Sequence, residues 1–297
     1  MNLKRQPGYF RGWFHAMGSP CEVLMETEDH GLAQALLRTV TQEARRIEAK
    51  FSRYRKDNIV YQINHESHKQ AICVDAETAR LLNYAQECYE LSEGLFDISA
   101  GTLSNVWHFD SSDRVPTREQ IRQCLQYVGW EKVHWDNPLI RLPPGTQIDL
   151  GGIGKEYAVD HCVQQLRQST SISCLVNFGG DIAITTGRHK RNAWCVGVEN
   201  PSTPGQAGNT ALKQIRLTQG AVATSGDVRR YVLKNGVRYG HILNPKTGWP
   251  ETQAPRSITV AAPTCSQAGV LSTLAMLQGE QAESFLSAQQ VQYWCLR

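Results

Sequence analysis

The chain has 297 residues, room for one large domain or two smaller ones, and is 41% hydrophobic and 20% charged. That balance is ordinary for a globular protein and argues against disorder or a fibrous architecture. Lys and Arg number 31 against 28 Asp and Glu, a formal charge of +3 with the basic residues scattered, so no nucleic acid is expected as a partner.

The nine cysteines lack paired CxxC spacing. They read as reduced, mostly buried thiols rather than a disulfide framework or zinc ribbon. Met1 to Arg11 is basic with no apolar stretch behind it, and no run of about 18 apolar residues occurs. The expectation is a cytoplasmic protein with no membrane insertion, organised as a single domain over residues 1–297.

The first strand signal is Cys21 to Met25, after a turn at Gly18-Ser19-Pro20. Leu32, Leu36, Val40, Ala44 and Ile47 recur at helical spacing and predict a helix over Gly31 to Phe51. A polar segment, Ser52 to Asn64, follows. Asp75 is placed to cap a helix over Ala76 to Leu91, which Gly94 ends. Leu95 to Phe109 (LFDISAGTLSNVWHF) is irregular and reads as a functional loop.

A helix over Arg118 to Tyr127, short strands at Val133 to Trp135 and Leu139 to Leu142, and a Pro143-Pro144-Gly145 turn come next. The glycines after Leu150 open a helix to about Gln168. Strands are expected at Ser173 to Phe178, Asp181 to Thr185, Trp194 to Glu199 and Gln214 to Thr218. Asn235-Gly236 turns a hairpin within Arg229 to His241. Strand Ser257 to Ala262, a helix over Ser266 to Leu277 and a short tail close the chain. Hairpin-paired strands with helices set apart predict an α+β architecture.

Three segments have chemical potential. In Ile148 to Val159 (IDLGGIGKEYAV) a carboxylate ends a strand, glycines open a turn and Lys155 sits on the first helical turn. Free N–H groups and a cation there suit a phosphate, although a tight turn without a ligand reads equally well. Neither a Walker A loop nor a GxGxxG fingerprint is present. Around the hairpin, Ser225, Asp227, Arg229 and His241 lie close in sequence, and His241 suits either a general base or a structural hydrogen bond. Phe96 and Asp97, with Trp107, Phe109 and Tyr54, suit either a planar ring or a closed core.

Taken in order, eight segments resemble the ApbE-like family, the FAD:protein FMN transferases. They are Met17-Gly18-Ser19, FSRYRKDNIVYQIN, GLFDISAGTLSNVWHF, IDLGGIGKEYAVD, VNFGGD, AVATSGDVRRY, YGHILNPKTGWP and SITVAAP. The resemblance implies a T-fold-like α+β protein with antiparallel sheets and packed helices. It implies transfer of FMN from FAD to a Ser or Thr hydroxyl of a target flavoprotein, such as a redox enzyme subunit, with release of AMP. Met17, Tyr54, Leu95, Phe96, Asp97, Asp149, Lys155 and Leu243 match positions that line the nucleotide, and His241 matches the catalytic histidine. A Mg²⁺ ion would be held by the Gly152 carbonyl and by Thr273, with Ser272 as a partial substitute for an acidic ligand.

The departures concern that metal. Gly269 stands where the family carries an aspartate, Glu156 where it commonly has glycine, Gly154 for alanine, Val228 for tyrosine, and Arg55 with Asn58 where Asp and Ser are usual. Loss of a charged ligand weakens a Mg²⁺ site. This opens a second reading, an FAD-binding protein without transferase activity, and an expectation that Gly269→Asp raises metal affinity.

Overall fold

The computed structural model describes the chain apart from residues 110–112, 190–191, 200–210 and 228–229. The start of the chain forms two strands that precede the first one predicted. Along Tyr9–Ala16 (β2), Phe10, Phe14 and Ala16 are buried while Arg11, Trp13 and His15 face out, the period-two pattern of a sheet with one covered face. Asn2–Gln6 (β1) and Ser19–Met25 (β3) pair antiparallel on either side of it. The turn between β2 and β3 is made by Met17 and Gly18, both at positive φ.

The helix His30–Phe51 (α1) is capped by Asp29, whose side chain accepts from the Leu32 N–H, and it buries Leu36, Leu37, Val40, Ala44 and Ile47. The polar segment after it contains a further helix, Ile59–Glu66 (α2), capped by Asn58; the Asn58 amide also donates to Ala49 and Ser52 carbonyls at 3.0 and 2.7 Å. Ile72–Cys73 (β4) leads to Ala76–Leu91 (α3), with Asp75 at its N-cap as expected. Within the irregular loop, Ile98–Asn105 winds as a 3₁₀ run capped by Asp97.

Arg118–Leu125 (α4) carries a Thr117/Gln120 capping box. His134–Asp136 (β5) and Leu139–Arg141 (β6) complete a small sheet with β4. The glycine turn opens Gly154–Ser169 (α5). Cys174–Phe178 (β7), Asp181–Ile184 (β8), Trp194–Glu199 (β9), Ala211–Leu217 (β10) and Ala221–Gly226 (β11) follow.

The predicted hairpin is Tyr231–Lys234 (β12) and Val237–Gly240 (β13), turning at Asn235 and Gly236 with φ of 51° and 77°; its expected first residue, Arg229, and the departure Val228 lie outside the described residues. Ser257–Ala262 (β14) and Cys265–Leu277 (α6) match the prediction closely. The tail adds Ala282–Ala288 (α7) and Gln292–Leu296 (β15).

The main sheet is eight-stranded, antiparallel throughout, in the order β1-β2-β3-β7-β8-β11-β14-β15. Helices α1, α5 and α6 cover one face, where Leu37, Ile47, Val163, Val176 and Ala223 share a core. The β9–β10 ribbon covers part of the other with Trp194, Val196, Ile215 and Leu217. Strands β7 and β8 are therefore buried almost continuously rather than alternately. The architecture is α+β, antiparallel sheets with packed helices. No helix among the described residues is long and apolar enough to cross a membrane.

Candidate active site

The glycine turn before α5 uses most of its own donors. The N–H groups of Ile153 and Gly154 return to the Leu150 carbonyl at 3.1 and 2.7 Å, and that of Gly151 to Asp149 Oδ1 at 2.8 Å. Fewer free N–H groups remain for an anion than the sequence suggested, which shifts that role to Lys155. The Lys155 Nζ sits 2.7 Å from Asp181 Oδ2 at the start of β8. Asp181 is only 2% exposed, and its Oδ1 accepts from the Thr224 N–H on β11. Burial pulls the Lys155 pKa down, but the Asp181 and Glu156 carboxylates outweigh it and the net direction is up.

Beside Lys155, Glu156 points at α6. A Cβ on Gly269 would lie 2.6 Å from Glu156 Cγ and 3.1 Å from its Oε1, so the glutamate occupies the place where a side chain at 269 would begin. Glu156 Oε2 is enclosed, no N–H or hydroxyl of the described residues donates to it, and the Asp181 carboxyl is its neighbour. Burial first, then the Asp181 carboxylate, raises the Glu156 pKa well above the carboxylate range. The hydroxyls of Ser272 and Thr273 on α6 meet Ser225 Oγ on β11 at 2.8 and 3.1 Å.

His241 follows β13. Its Nδ1 lies 3.2 Å from the Arg230 carbonyl, and because a carbonyl only accepts, Nδ1 carries the hydrogen and Nε2 the free lone pair. Burial, the Arg230 cation and then Lys155 push its pKa down to about 4. The Phe109 ring packs edge-on at 6.3 Å, and Phe109 stacks on Trp107. Leu243 joins Trp107, Ile121 and Trp249 in the small core beneath.

Close approaches tie the other segments to this centre. A Cβ on Gly179, in the β7–β8 turn, would lie 2.9 Å from Ser19 Cβ and 3.8 Å from Lys155 Nζ, and one on Gly18 would lie 3.6 Å from Arg230 Nη2. The neighbouring Met17 N–H donates to Glu48 Oε1 at 2.7 Å. Phe96, 5% exposed, lies against Gly152.

Lys155, His241, Met17, Phe96, Gly152, Ser272 and Thr273 thus gather from distant parts of the chain. Other predicted residues are engaged locally. Asp97 accepts from the Ser99 and Trp130 N–H groups, and burial raises its pKa. Asp149 pairs with Arg53 at 3.2 Å, Leu95 is partly buried against the main core, and Tyr54 is 86% exposed. A cavity of about 620 Å³ opens on the opposite face of the sheet and meets the site only at its edge, through Gly179, Gly180 and Thr224. Sequence reasoning missed Asp181 as the partner of Lys155, since a carboxylate after Gly-Gly reads as a turn residue, and missed Arg53 on Asp149.

A model of the ApbE family matches residues 17–295. The FAD:protein FMN transferase of Haemophilus influenzae is 32% identical over 243 residues, 79% of this chain and 70% of that protein. That of Vibrio cholerae is 31% identical over 234 residues, 77% and 69% of the two. Among solved structures, the ApbE protein of Thermotoga maritima aligns with a TM-score of 0.86 at 31% identity, covering 97% of this chain and 94% of that one. Flavin transferase ApbE from Vibrio cholerae aligns at 0.79 and 25% identity, covering 97% and 93%. With a match over nearly its whole length and the same antiparallel frame, this chain belongs to the ApbE family.

Proposed function

We propose that this chain is an FAD:protein FMN transferase. It takes FAD, moves the FMN half onto a Ser or Thr hydroxyl of a target flavoprotein, a redox enzyme subunit, and releases AMP in the cytoplasm. The observation that carries the reading is a neutral His241 whose hydrogen sits on Nδ1 and whose lone pair sits on Nε2, in the same site as the Lys155 ammonium and the α6 hydroxyls.

The acceptor's oxygen attacks the FMN phosphorus, its proton passes to His241 Nε2, and the bond to the AMP phosphate breaks, so charge grows on the leaving oxygen. The Lys155 cation would meet the pyrophosphate charge. Phe96, Met17 and the exposed Tyr54 ring offer apolar contact to the flavin nucleotide, with Leu95, Asp97, Asp149 and Leu243 supporting the walls.

The donor set also fits Mg²⁺: the enclosed Glu156 carboxyl, hydroxyls at 272 and 273 and the Gly152 carbonyl are the hard oxygen ligands it takes. Bound there it would neutralise pyrophosphate charge. Buried thiols such as Cys21, Cys162 and Cys174 are consistent with a reducing compartment.

The test is incubation with FAD, Mg²⁺ and an unmodified flavoprotein subunit that normally carries Thr-linked flavin. AMP release with a matching mass gain on the subunit is expected. His241→Ala should stop both while leaving FAD affinity, read by flavin fluorescence, within about twofold. FAD bound without AMP at any Mg²⁺ concentration would instead support the second reading, a flavin-binding protein without transfer.

A further inference from the structure

Two departures noted separately in the sequence lie face to face in the fold. On α5, Glu156 extends toward α6; on α6, Gly269 leaves the space into which it extends, with 2.6 Å between the glutamate's Cγ and the point where a Cβ would begin. The pocket around them holds two enclosed carboxylates, Glu156 and Asp181, and one ammonium. That ammonium, Lys155 Nζ, is engaged by Asp181 at 2.7 Å, and Asp181 also takes the Thr224 N–H. Among the described residues no N–H or hydroxyl donates to Glu156 Oε2, and the charged groups nearest its carboxyl are Asp181 and that same ammonium.

Two enclosed carboxyls that share a single ammonium leave negative charge which a further cation would compensate. On α6, one turn beyond the Gly269 that faces Glu156, the Ser272 and Thr273 hydroxyls lie 2.8 and 3.1 Å from Ser225 Oγ, and Ser272 Oγ also donates to the Gly269 carbonyl at 3.0 Å. The geometry points to Glu156 as the carboxylate ligand of a divalent cation, presented from α5 into the gap left by Gly269 rather than from α6 itself. This rests on the transferase reading only for the identity of the metal site. The acid has moved from one helix to the facing one, and the metal-binding charge is kept.

One consequence corrects the expectation for Gly269→Asp. In the native background its side chain would collide with Glu156 and bring no gain in affinity.

Mn²⁺ serves as the probe, with free ion read by electron paramagnetic resonance on the full-length protein saturated with FAD. Glu156→Gln keeps the shape and should weaken Mn²⁺ binding by at least about tenfold, while melting temperature and FAD affinity measured without any divalent ion stay close to native. Combining Glu156→Ala with Gly269→Asp should bring affinity back to within about threefold of native, since the acid is then supplied from α6. Native-like Mn²⁺ binding by Glu156→Gln would overturn the proposal, as would no binding by the native protein at millimolar Mn²⁺. Tight binding by the native protein and weak binding by the glutamine variant support it whether or not AMP is released, so failure of transfer and failure of this assignment give different results.

Discussion

A histidine with its pKa pushed to about 4 from 6.5 is uncharged near neutral pH, which is what a proton acceptor requires. The unfolded chain protonates near 6.5 and the folded one only near 4. The contribution of His241 to stability is therefore complete above about pH 6.5 and lost as pH falls toward 4. Melting temperatures recorded between pH 7.5 and 4.5 should fall less steeply for His241→Gln than for the native protein. Equal slopes would mean the ring is not held neutral by its surroundings. His241 and Lys155 were legible as candidates because their flanking turns set them apart. Their partners were not. Asp181 lies 26 residues beyond Lys155, and the pairing of Glu156 with Gly269 depends on which helix faces which, a relation spacing along one chain does not encode.

Between elements, charge joins α1, α3 and α5. Arg46 forks onto Glu43 and Glu77, Lys50 reaches Glu77 and Asp75, and the Tyr157 hydroxyl donates to Glu77 at 2.9 Å. The Arg46 bond above all holds the Glu77 carboxyl far below its usual range. A depressed carboxylate stabilises above its unfolded pKa, here 4.5, and that contribution fades as pH falls below it. Arg46 is 42% exposed, so solvent screens part of the interaction. Urea unfolding should show Glu77→Gln destabilised by about 2 kcal/mol at pH 7, with the gap to native narrowing by pH 3.5. A constant gap would place its cause elsewhere. Helices α1 and α3 were readable to within a residue because each has an Asp cap and a clear apolar stripe. Helix α2 was hidden in a polar stretch where only Val60 and Ile63 are buried, and β2 was masked by Gly12 and an outward Trp13 in otherwise regular alternation.

Across the molecule the frame runs from the second residue to the last few. Strand β15 pairs along β14, the Arg256 N–H bonds the Leu296 carbonyl at 2.7 Å, and Tyr293 and Cys295 pack on Ile258, Val260 and Met276. It was not legible beforehand, because the strand is short and mixes polar with apolar residues. Deleting residues 291–297 should lower the melting temperature on the order of 5–10 °C and weaken FAD binding, because α6 rests on β14. Unchanged melting would show that strand to be dispensable.

The order of the eight strands follows the order of synthesis, while the proposed FAD site draws on Met17 near one end and Thr273 near the other. A nascent chain can extend its frame edge by edge as it leaves the ribosome, yet it has no complete place for a dinucleotide until its last long helix has emerged. Ligand capture then rewards only finished molecules, adding stability by mass action to those and to no partial product.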